Sequence, residues 1–411
     1  MNLNEAGALA VDLATPLGPE EVGIDSVLGR ILAADVSTGR PIPDRNRSQW
    51  DGFAVASMET ENAAPERPTS LEIFKSDVTA GGPQPAASGR GRCFRIMTGA
   101  VLPEDTDTVI RFEDAVESEG RLILTRPLKS GSGIVSPGSD AEAGEVLLKQ
   151  GDVLTPTRIA LAAATGKKDL PVFRRPRVAI LSTGDELRDV GIDSEGPNIF
   201  CNNIHLLSNL VRAGGGEAVQ LGIVPDDPEE ILSRLRAVRA ELVITTGGMG
   251  RGSRDFILEV WSRLGVTAHF HELNISPGRG SALGSGRGSI FLGLPGNPWA
   301  GRVVFEEIAA PIICRFQGIG ITEKFSFMAR AARAMEKKKK GFYQAFEGIL
   351  KNSNGCCEFT PNKTAHAQKL HSFRNGLAYA LLEPDRMHVS EGEKVSVRIP
   401  DLPLLARAIL E

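Results

Sequence analysis

The central part of the chain alternates short apolar runs with stretches in which apolar residues recur every three or four positions. The apolar runs predict strands at 177–182, 218–224, 241–246, near 266–273 and at 289–294. The helical spacing predicts helices at 203–213, from Pro228 onward, at 255–264 and at 299–315. Alternation of strand and helix at this spacing favours a mostly parallel, doubly wound sheet.

The segment before this region shows two other patterns. Residues 1–40 place Val22, Val27 and Ile31 at helix-compatible spacing, and the prolines that follow at 41 and 43 predict a boundary. Short β-like runs separated by Gly- and Pro-rich turns then predict a β module, with strands near 53–55, 71–74, 93–97, 108–112 and 121–124.

Two further predictions concern the rest of the chain. A helix is expected at 156–165, because a proline stands near its start and a glycine beyond its end. From about 320 the pattern turns β-like again and fits a small β-barrel or sandwich, with strands near 376–382 and 394–399. The basic run 337–340 is interpreted as a solvated hairpin or loop.

Composition narrows the function classes. The chain has 411 residues, a net charge of −4 and a pI near 6.0, so no global field attracts nucleic acid or an acidic membrane. Its five cysteines have no framework or zinc-ligand spacing and are interpreted as free thiols. We find no signal-peptide pattern and no apolar run of membrane-spanning length, and therefore expect a cytoplasmic protein.

Three Gly-rich turns follow predicted strands and are the candidate binding loops. In Thr183-Gly184-Asp185-Glu186, the turn could bring the backbone close to a phosphate or pterin while Asp185 or Glu186 binds a metal or a polar ring edge. An acidic helix cap is the alternative. In the loop 246–255, glycines that include Gly247 and Gly248 supply backbone donors and Arg251 and Arg254 supply charge, as an anion requires; a plain surface loop is the alternative.

The remaining motifs are weaker when taken singly. In Pro295-Gly296-Asn297-Pro298, Asn297 either hydrogen-bonds a ligand or only caps the following helix. Asp51 lies between a tryptophan and a glycine, and Asp-Gly is first of all a hairpin-turn signal. Thr98 and Asp140 also lie beside glycines in short turns.

The motifs gain weight from their order along the chain. In sequence they are Gly-Arg-Ile-Leu-Ala-Ala-Asp-Val (29–36), Asp-Gly-Phe-Ala-Val (51–55), Ile-Met-Thr-Gly-Ala (96–100), Leu-Ser-Thr-Gly-Asp-Glu-Leu (181–187), Gly-Ile-Val-Pro-Asp-Asp (222–227), the 245–255 loop and Gly-Leu-Pro-Gly-Asn-Pro (293–298). This ordered set resembles the MoeA family, the molybdopterin molybdenumtransferases, which include the gephyrin E domains of animals. The resemblance covers nearly the whole chain and is that of a divergent member.

The resemblance implies a multidomain fold of the α/β plus β class. Its expected parts are a MogA-like doubly wound α/β domain that binds molybdopterin, a β module, a helical segment and a C-terminal β-barrel or sandwich. Their expected bounds are 1–40 with 138–174 for the discontinuous helical part, 41–137 for the β module, 175–318 for the α/β domain and 319–411 for the C-terminal domain. A homodimer is also implied, with the site between the α/β domain of one subunit and the β module of the other.

The implied reaction inserts molybdate into adenylylated molybdopterin and releases AMP with Mg²⁺ assisting, as a step of molybdenum cofactor biosynthesis. Molybdopterin adenylyltransferase and recipient molybdoenzymes are implied as possible partners. By motif position the implied catalytic residues are Asp51, Thr98, Asp140, Glu186, Asp227 and Asp255. The implied binding residues are Thr183, Gly184, Asp185, Gly247, Gly248, Arg251, Arg254, Ser276, Pro277, Gly278, Arg279, Pro295 and Asn297, and the expected metal ligands are Glu186 and Asp185.

The chain departs from the family pattern where a cation is expected beside molybdate. The motif Lys-Pro-Gly-Lys-Pro reads Ser276-Pro277-Gly278-Arg279-Gly280, and Glu347 stands where the C-terminal domain commonly has an arginine. Asp-Thr-Asn reads Cys201-Asn202-Asn203, and Ser-Ala-Met before the catalytic aspartate reads Ser48-Gln49-Trp50. Two hypotheses therefore remain open.

The first hypothesis is an active molybdenumtransferase in which arginines replace the missing lysines. The second is a catalytically impaired paralogue that binds molybdopterin or a nucleotide as a carrier or scaffold. The sequence leaves open whether the oxyanion is molybdate or tungstate and whether Cys201 touches the ligand.

Overall fold

The computed structural model describes residues 1–83, 86–192, 198–248, 256–319, 326–353, 355–362, 373–374 and 378–400. The chain forms two compact units. The first consists of Met1–Ala34, Gln150–Pro156 and Asp169–Glu411, and the second of Asp35–Lys149 and Thr157–Lys168. Among the described residues, no helix combines the length and the apolar character needed to cross a membrane.

The first unit is built on a six-stranded sheet. Its first four strands are parallel to one another. The fifth strand is antiparallel to the fourth, and the sixth is antiparallel to the fifth. In order across the sheet they are Glu217–Val224, Arg177–Thr183, Leu242–Thr246, Ser289–Leu294, Ala282–Gly286 and Thr267–Phe270. The predicted doubly wound α/β fold is therefore confirmed, with one strand that the sequence did not indicate. That strand, Ala282–Gly286, lacks an apolar run, and Gly284 is needed because a Cβ there would lie 2.9 Å from the carbonyl oxygen of Thr267.

Helices cover this sheet close to the predicted positions. Their bounds are Asn203–Ala213, Pro228–Arg236, Ile257–Leu264, Pro298–Val304 and Ala310–Phe316. The last two belong to one helical run, joined by the π-helical turn Phe305–Ala309. Apolar residues from the sheet and from this run form the largest core, in which Val178, Ile244 and Ile308 are fully buried.

The end of the chain forms a closed five-stranded barrel, which confirms the predicted C-terminal β fold. Around the barrel the strands are Tyr343–Ser353, Cys356–Pro361, Phe327–Ala331, Lys394–Arg398 and Ala378–Leu382, and the last pairs with the first. Closure leaves no unpaired edge inside this ring. The short strands Ile275–Ser276, Met335–Glu336 and His388–Val389 lie outside the ring.

A buried charge cluster joins the barrel to the π-helical turn within this unit. Glu307 is fully buried, and its carboxylate is 2.7 Å from the Arg398 guanidinium and accepts a 2.7 Å hydrogen bond from the Tyr379 hydroxyl. Burial raises the pKa of Tyr379 well above its ordinary value, so this hydroxyl stays a donor. Removing either partner would leave a buried carboxylate short of its compensation.

The prediction of a helical 1–40 is correct only for its first part. A helix occupies Leu3–Asp12, but Pro19–Gly23 is a strand that pairs with Asp169–Phe173 and is followed by a 3₁₀ turn at Ile24–Ser26. Gly29 has φ of +71°, a left-handed conformation that ends any continuous helix there. The helix-like spacing of apolar residues after position 18 therefore does not mark a helix, and the residues that are buried there are buried by other contacts.

The solvated-loop interpretation of 337–340 is wrong for its first residue. Lys337 is only 3% exposed, and its ammonium donates to the carbonyl oxygens of Phe342, Glu383 and Pro384 at 2.6, 2.7 and 3.0 Å. Burial lowers the pKa of this amine. The other three lysines of the run are exposed, as expected.

The second unit contains the predicted β module. Its six-stranded sheet has the order Thr108–Arg111, Gly52–Val55, Arg92–Ile96, Thr69–Ile73, Arg121–Leu124 and Val116–Ser118. Short strands at Val36–Ser37, Arg47–Ser48, Ile134–Val135 and Val146–Leu148 and 3₁₀ turns at Ser57–Thr60 and Phe112–Asp114 complete it. The predicted helix is found at Pro156–Ala164, and all of it except its first residue lies in this unit.

Candidate functional site

A cavity of about 430 Å³ lies where three parallel strands of the α/β domain end. The strands are Arg177–Thr183, Leu242–Thr246 and Ser289–Leu294, and the loops after them form much of the wall. Such carboxyl ends are where open α/β sheets bind ligands. The lining residues are Thr183, Gly184, Glu186, Leu187, Asn203, Asp226, Thr246, Gly247, Gly248, Gly280, Pro295 and Gly296.

Two of the predicted glycines have a positive φ that favours glycine, and at Gly247 the backbones of two loops also approach closely. Gly247 has φ of +99°, and a Cβ there would lie 2.3 Å from the carbonyl oxygen of Thr183. Gly184, at φ +154°, would place a Cβ 2.8 Å from a carboxylate oxygen of Glu186. The backbone is thus open to a ligand on this wall because side chains are excluded from it.

The polar groups of the cavity are of two kinds. Glu186 and Asp226 contribute carboxylates to the lining, and the side chain of Asp185 accepts a 3.1 Å hydrogen bond from the backbone N–H of Asp226. The hydroxyl of Thr183 is buried and has no hydrogen-bond partner among the described residues. An unsatisfied buried hydroxyl at a cavity wall suits a polar ligand that completes its bonding.

Asn203 is a cavity residue that the sequence reasoning noted only as part of an altered motif. Its amide donates to the Thr246 hydroxyl at 3.0 Å and to the carbonyl oxygen of Gly296 at 2.8 Å. The side chain therefore ties the start of the helix Asn203–Ala213 to two strand-end loops. Its position at the start of a predicted helix gave no such signal, because these contacts join segments far apart in the sequence.

Two predicted residues act as helix caps in this structure. Asn297 accepts a 3.1 Å hydrogen bond from the backbone N–H of Ala300 at the start of the helix Pro298–Val304, which is the capping alternative given above. Asp227 accepts a 2.8 Å hydrogen bond from Glu229 at the start of Pro228–Arg236. Neither is among the residues that line the cavity.

The altered motif 276–280 contributes only its last residue, Gly280, to the cavity lining. Ser276 and Pro277 precede Gly278, where φ is +120° and a Cβ would lie 2.5 Å from Val304. The guanidinium of Arg279 pairs with Glu272 at 2.9 Å and lies over the ring of Phe342. Arg279, the cation that was predicted to bind the oxyanion, is therefore already paired with a carboxylate.

The remaining predicted residues of the 246–255 loop, Arg251, Arg254 and Asp255, lie outside the described residues. Within the described part of the lining, no residue is cationic. The charge that the cavity presents in that part comes from its carboxylates.

Two of the residues predicted in the β module, Asp51 and Thr98, are joined by hydrogen bonds within the second unit. One carboxylate oxygen of Asp51 accepts hydrogen bonds from both the backbone N–H and the hydroxyl of Thr98, at 2.7 and 3.0 Å. These bonds lower the pKa of Asp51, that from the backbone N–H most. Asp140 belongs to the same unit, where its backbone N–H donates to the carbonyl oxygen of Ile42, and it makes no hydrogen bond with Asp51 or Thr98 among the described residues. All three predicted side chains are exposed.

The donor set of the cavity fits Mg²⁺. This ion is usually held by one or two carboxylates together with water and substrate phosphates. Glu186 and Asp226 provide two carboxylates on the wall, and Asp185 lies beside them. Among the described residues, no group of three or more His, Cys, Asp or Glu forms an all-protein metal cage. The expected ligand pair Glu186 and Asp185 remains a prediction.

Comparison with known proteins gives consistent results over both units. The family described as MoeA N-terminal region (domain I and II) matches residues 1–166, and that described as probable molybdopterin binding domain matches residues 179–315. The chain is 30% identical to the molybdopterin molybdenumtransferase of Haemophilus influenzae over 391 residues, which cover 94% of this chain and 95% of the relative.

Other relatives extend this similarity. The molybdopterin molybdenumtransferase of Bacillus subtilis is 33% identical over 300 residues, which cover 72% of this chain and 70% of the relative. Among solved structures, a molybdopterin biosynthesis MoeA protein from Pyrococcus horikoshii superposes with a TM-score of 0.86 at 27% identity, covering 97% of this chain and 99% of the other. Another solved structure, of a molybdopterin biosynthesis MoeA protein from Pyrococcus horikoshii OT3, gives a TM-score of 0.80 at 26% identity with the same coverage.

Proposed function

This chain belongs to the MoeA family of molybdopterin molybdenumtransferases in molybdenum cofactor biosynthesis, and from that premise we propose that it uses adenylylated molybdopterin and molybdate and releases AMP. The single observation that carries the proposal is the cavity at the ends of three parallel strands. Its wall combines glycine backbone, an unsatisfied Thr183 hydroxyl and the carboxylates of Glu186 and Asp226. This set suits a polar, phosphate-bearing ligand that arrives with a divalent cation.

Each group of the cavity has a proposed task. Gly247 and Gly248 leave room for the ligand against the backbone, and Asn203 holds the loop at Gly296 in place. Glu186 and Asp226, with Asp185 beside them, would hold Mg²⁺. When bound, Mg²⁺ would neutralise charge on the pyrophosphate oxygens.

Asp51 and Thr98 are proposed to complete the site from the β module of a second subunit, as the family resemblance implies. The lowered pKa of Asp51 keeps its carboxylate ionised at neutral pH, so it is a poor general base and a good acceptor or metal ligand. Thr98 fixes one of its oxygens and leaves the other for the ligand. The homodimer is part of this proposal.

One observation supports a second candidate, a carrier or scaffold that binds molybdopterin or a nucleotide without turnover. Arg279 pairs with Glu272, and the described lining of the cavity has carboxylates and no cation. A carboxylate where a cation is expected would change the sign of a Coulomb term of roughly 4 kcal/mol at 4 Å and an effective dielectric of 20. On this reading Arg251, Arg254 and Arg279 do not restore the charge that molybdate requires.

AMP release from adenylylated molybdopterin tests both candidates. The assay contains Mg²⁺, with and without molybdate, and compares wild type with Asp51→Asn and Glu186→Gln. Asp189→Asn is a matched control, because Asp189 is an exposed carboxylate of the next loop and is absent from the cavity lining. Molybdate-dependent release that both site variants lose supports the transferase. Tight binding of the substrate without release by wild type supports the carrier instead.

A further inference from the structure

An exposed arginine of the β module lies over an indole ring next to Asp51. The Arg111 guanidinium carbon is 4.2 Å from the centre of the Trp50 ring, the shortest of the cation–π contacts in the described residues. Arg111 ends the strand Thr108–Arg111, and the neighbouring strand Gly52–Val55 begins two residues after Trp50, with Gly52 opposite Arg111 in the sheet. The backbone of Phe112 also donates to the carbonyl oxygen of Asp51 at 3.2 Å.

The indole that supports Arg111 is itself held in place. A Cβ at Gly133 would lie 2.8 Å from Trp50 Cε3 and 2.6 Å from the carbonyl oxygen of Val109, so the glycine backbone packs directly against the ring. The hydroxyl of Ser48 donates to the carbonyl oxygen of Trp50. A side chain packed in this way offers a fixed platform rather than a mobile one.

Arg111 differs from the other exposed arginines that lie over aromatic rings. Arg92 lies over Phe74 but pairs with Glu72, and Arg279 lies over Phe342 but pairs with Glu272. The side chain of Arg111 makes no ion pair or hydrogen bond with any described residue, and only its backbone is bonded in the sheet. A guanidinium stacked on a ring keeps its N–H groups at its edge, where they match the oxygens of phosphate and similar oxyanions.

We propose that Trp50 and Arg111 form an oxyanion-binding site beside Asp51, in which the ring orients the guanidinium and the guanidinium binds the anion. This inference rests on the proposed function, since it names the ligand chemistry of the same site in the β module. Asp51 is bonded to Thr98 and forms no ion pair with Arg111 within the described residues, so the site presents a cation and an anion side by side.

Two sources of the oxyanion share this chemistry, and an equilibrium titration separates them. Molybdate and AMP, a phosphomonoester, are added separately while Trp50 fluorescence is recorded. The other two tryptophans, Trp261 and Trp299, are 1% and 6% exposed, and Trp50→Phe gives the background signal. The variants are Arg111→Gln, Arg111→Lys and, as a charge-matched control on the same sheet, Arg92→Gln.

Arg111→Gln is expected to weaken binding of one probe about ten-fold or more, because a charge-assisted contact is lost. Arg111→Lys should bind with intermediate affinity, since it keeps the charge but loses the planar fork. The Arg92→Gln control should match wild type. A selective loss for molybdate identifies the free oxyanion as the ligand, and a selective loss for AMP identifies the substrate phosphate. Equal affinities of wild type and Arg111→Gln for both probes would overturn the inference.

Turnover provides an independent measurement. Arg111→Gln should raise KM for the reactant whose oxyanion it binds more than it lowers kcat. If wild type releases no AMP, the proposed transferase fails while the titration still tests Arg111. If wild type is active and Arg111→Gln changes neither KM nor binding, only the oxyanion site fails.

Discussion

Thr98 donates both its backbone N–H and its hydroxyl to a single oxygen of the Asp51 carboxylate, at 2.7 and 3.0 Å. Both bonds favour the ionised form, that from the backbone N–H most, and they hold the pKa of Asp51 below its ordinary value. The folded-state pKa is therefore below the unfolded value. The resulting contribution to stability is present above the unfolded pKa and is lost as the pH falls through the folded pKa.

We predict that Thr98→Val raises the pKa of Asp51 while leaving it below the ordinary value, because the backbone donor remains. Thr98→Ser keeps the hydroxyl and should leave the pKa close to that of wild type. A pH titration of the Asp51 side-chain carbon by NMR measures the change. Identical titrations of Thr98→Val and wild type would show that the hydroxyl bond does not form in solution.

Because Gly247 lies against the Thr183 carbonyl, we predict that adding one methyl group at Gly247 lowers the stability of the protein strongly. Gly247→Ala combines overpacking, about 1–3 kcal/mol, with a side chain at positive φ, about 1–3 kcal/mol. Gly296→Ala, on the same cavity wall, meets nothing closer than 3.9 Å and should change stability by less than about 0.5 kcal/mol. Urea denaturation measures both, and equal stabilities of the two variants would contradict the observed approach of the loops.

The buried cluster at Glu307 predicts a graded loss of stability. Arg398→Met removes a counter-charge that lies 2.7 Å from the buried carboxylate and should cost about 3–5 kcal/mol. Tyr379→Phe removes one charge-assisted hydrogen bond and should cost about 1.5–3 kcal/mol. The exposed pair Arg386–Glu393 is the control, and Arg386→Gln should cost less than about 1 kcal/mol. Denaturant unfolding measures the free energy of unfolding of the three variants. Equal losses of stability, or the largest loss for Arg386→Gln, would show that the cluster is solvated.

Lys337 and Lys339 belong to one basic run but have different surroundings. Lys337→Met removes the donor from three carbonyl oxygens and should destabilise the protein by about 1–3 kcal/mol. Lys339→Met changes an exposed side chain and should stay within about 0.5 kcal/mol. Thermal unfolding of the two variants under the same conditions checks the difference.

Because the Asn203 side chain acts as a hydrogen-bond donor, we predict that replacing it by an acceptor weakens ligand binding. Asn203→Asp replaces the amide donor by a carboxylate facing the carbonyl oxygen of Gly296, so the loop at the cavity wall should be displaced. Binding of adenylylated molybdopterin should weaken about ten-fold or more, since one or two hydrogen bonds that position the wall are lost. Asn209→Asp, on the exposed side of the same helix, is the control. Unchanged binding by Asn203→Asp would remove the residue from the site.

The sequence by itself determined the elements whose patterns are local. Apolar runs such as 177–182 and 289–294 marked strands buried on both faces, and the order of Gly-rich turns after them indicated the family and the binding edge of the sheet. The capping alternative for Asn297 was also readable, because a cap depends only on the residues that follow it in the chain.

Only the tertiary structure decided which of the candidate residues meet. Val27 and Ile31 have helical spacing and are buried, yet Ile31 packs with Val153 and Phe173, and the positive φ at Gly29 breaks the helix. Lys337 belongs to the same basic run as its neighbours, but its ammonium donates to three carbonyl oxygens. Two of these belong to Glu383 and Pro384, which are far away in the sequence. Arg279 was expected to bind an anion but pairs with Glu272. Arg111 lies over the ring of Trp50, which is far from it in the sequence. Such partners are set by packing between segments far apart in the chain, which no local pattern records.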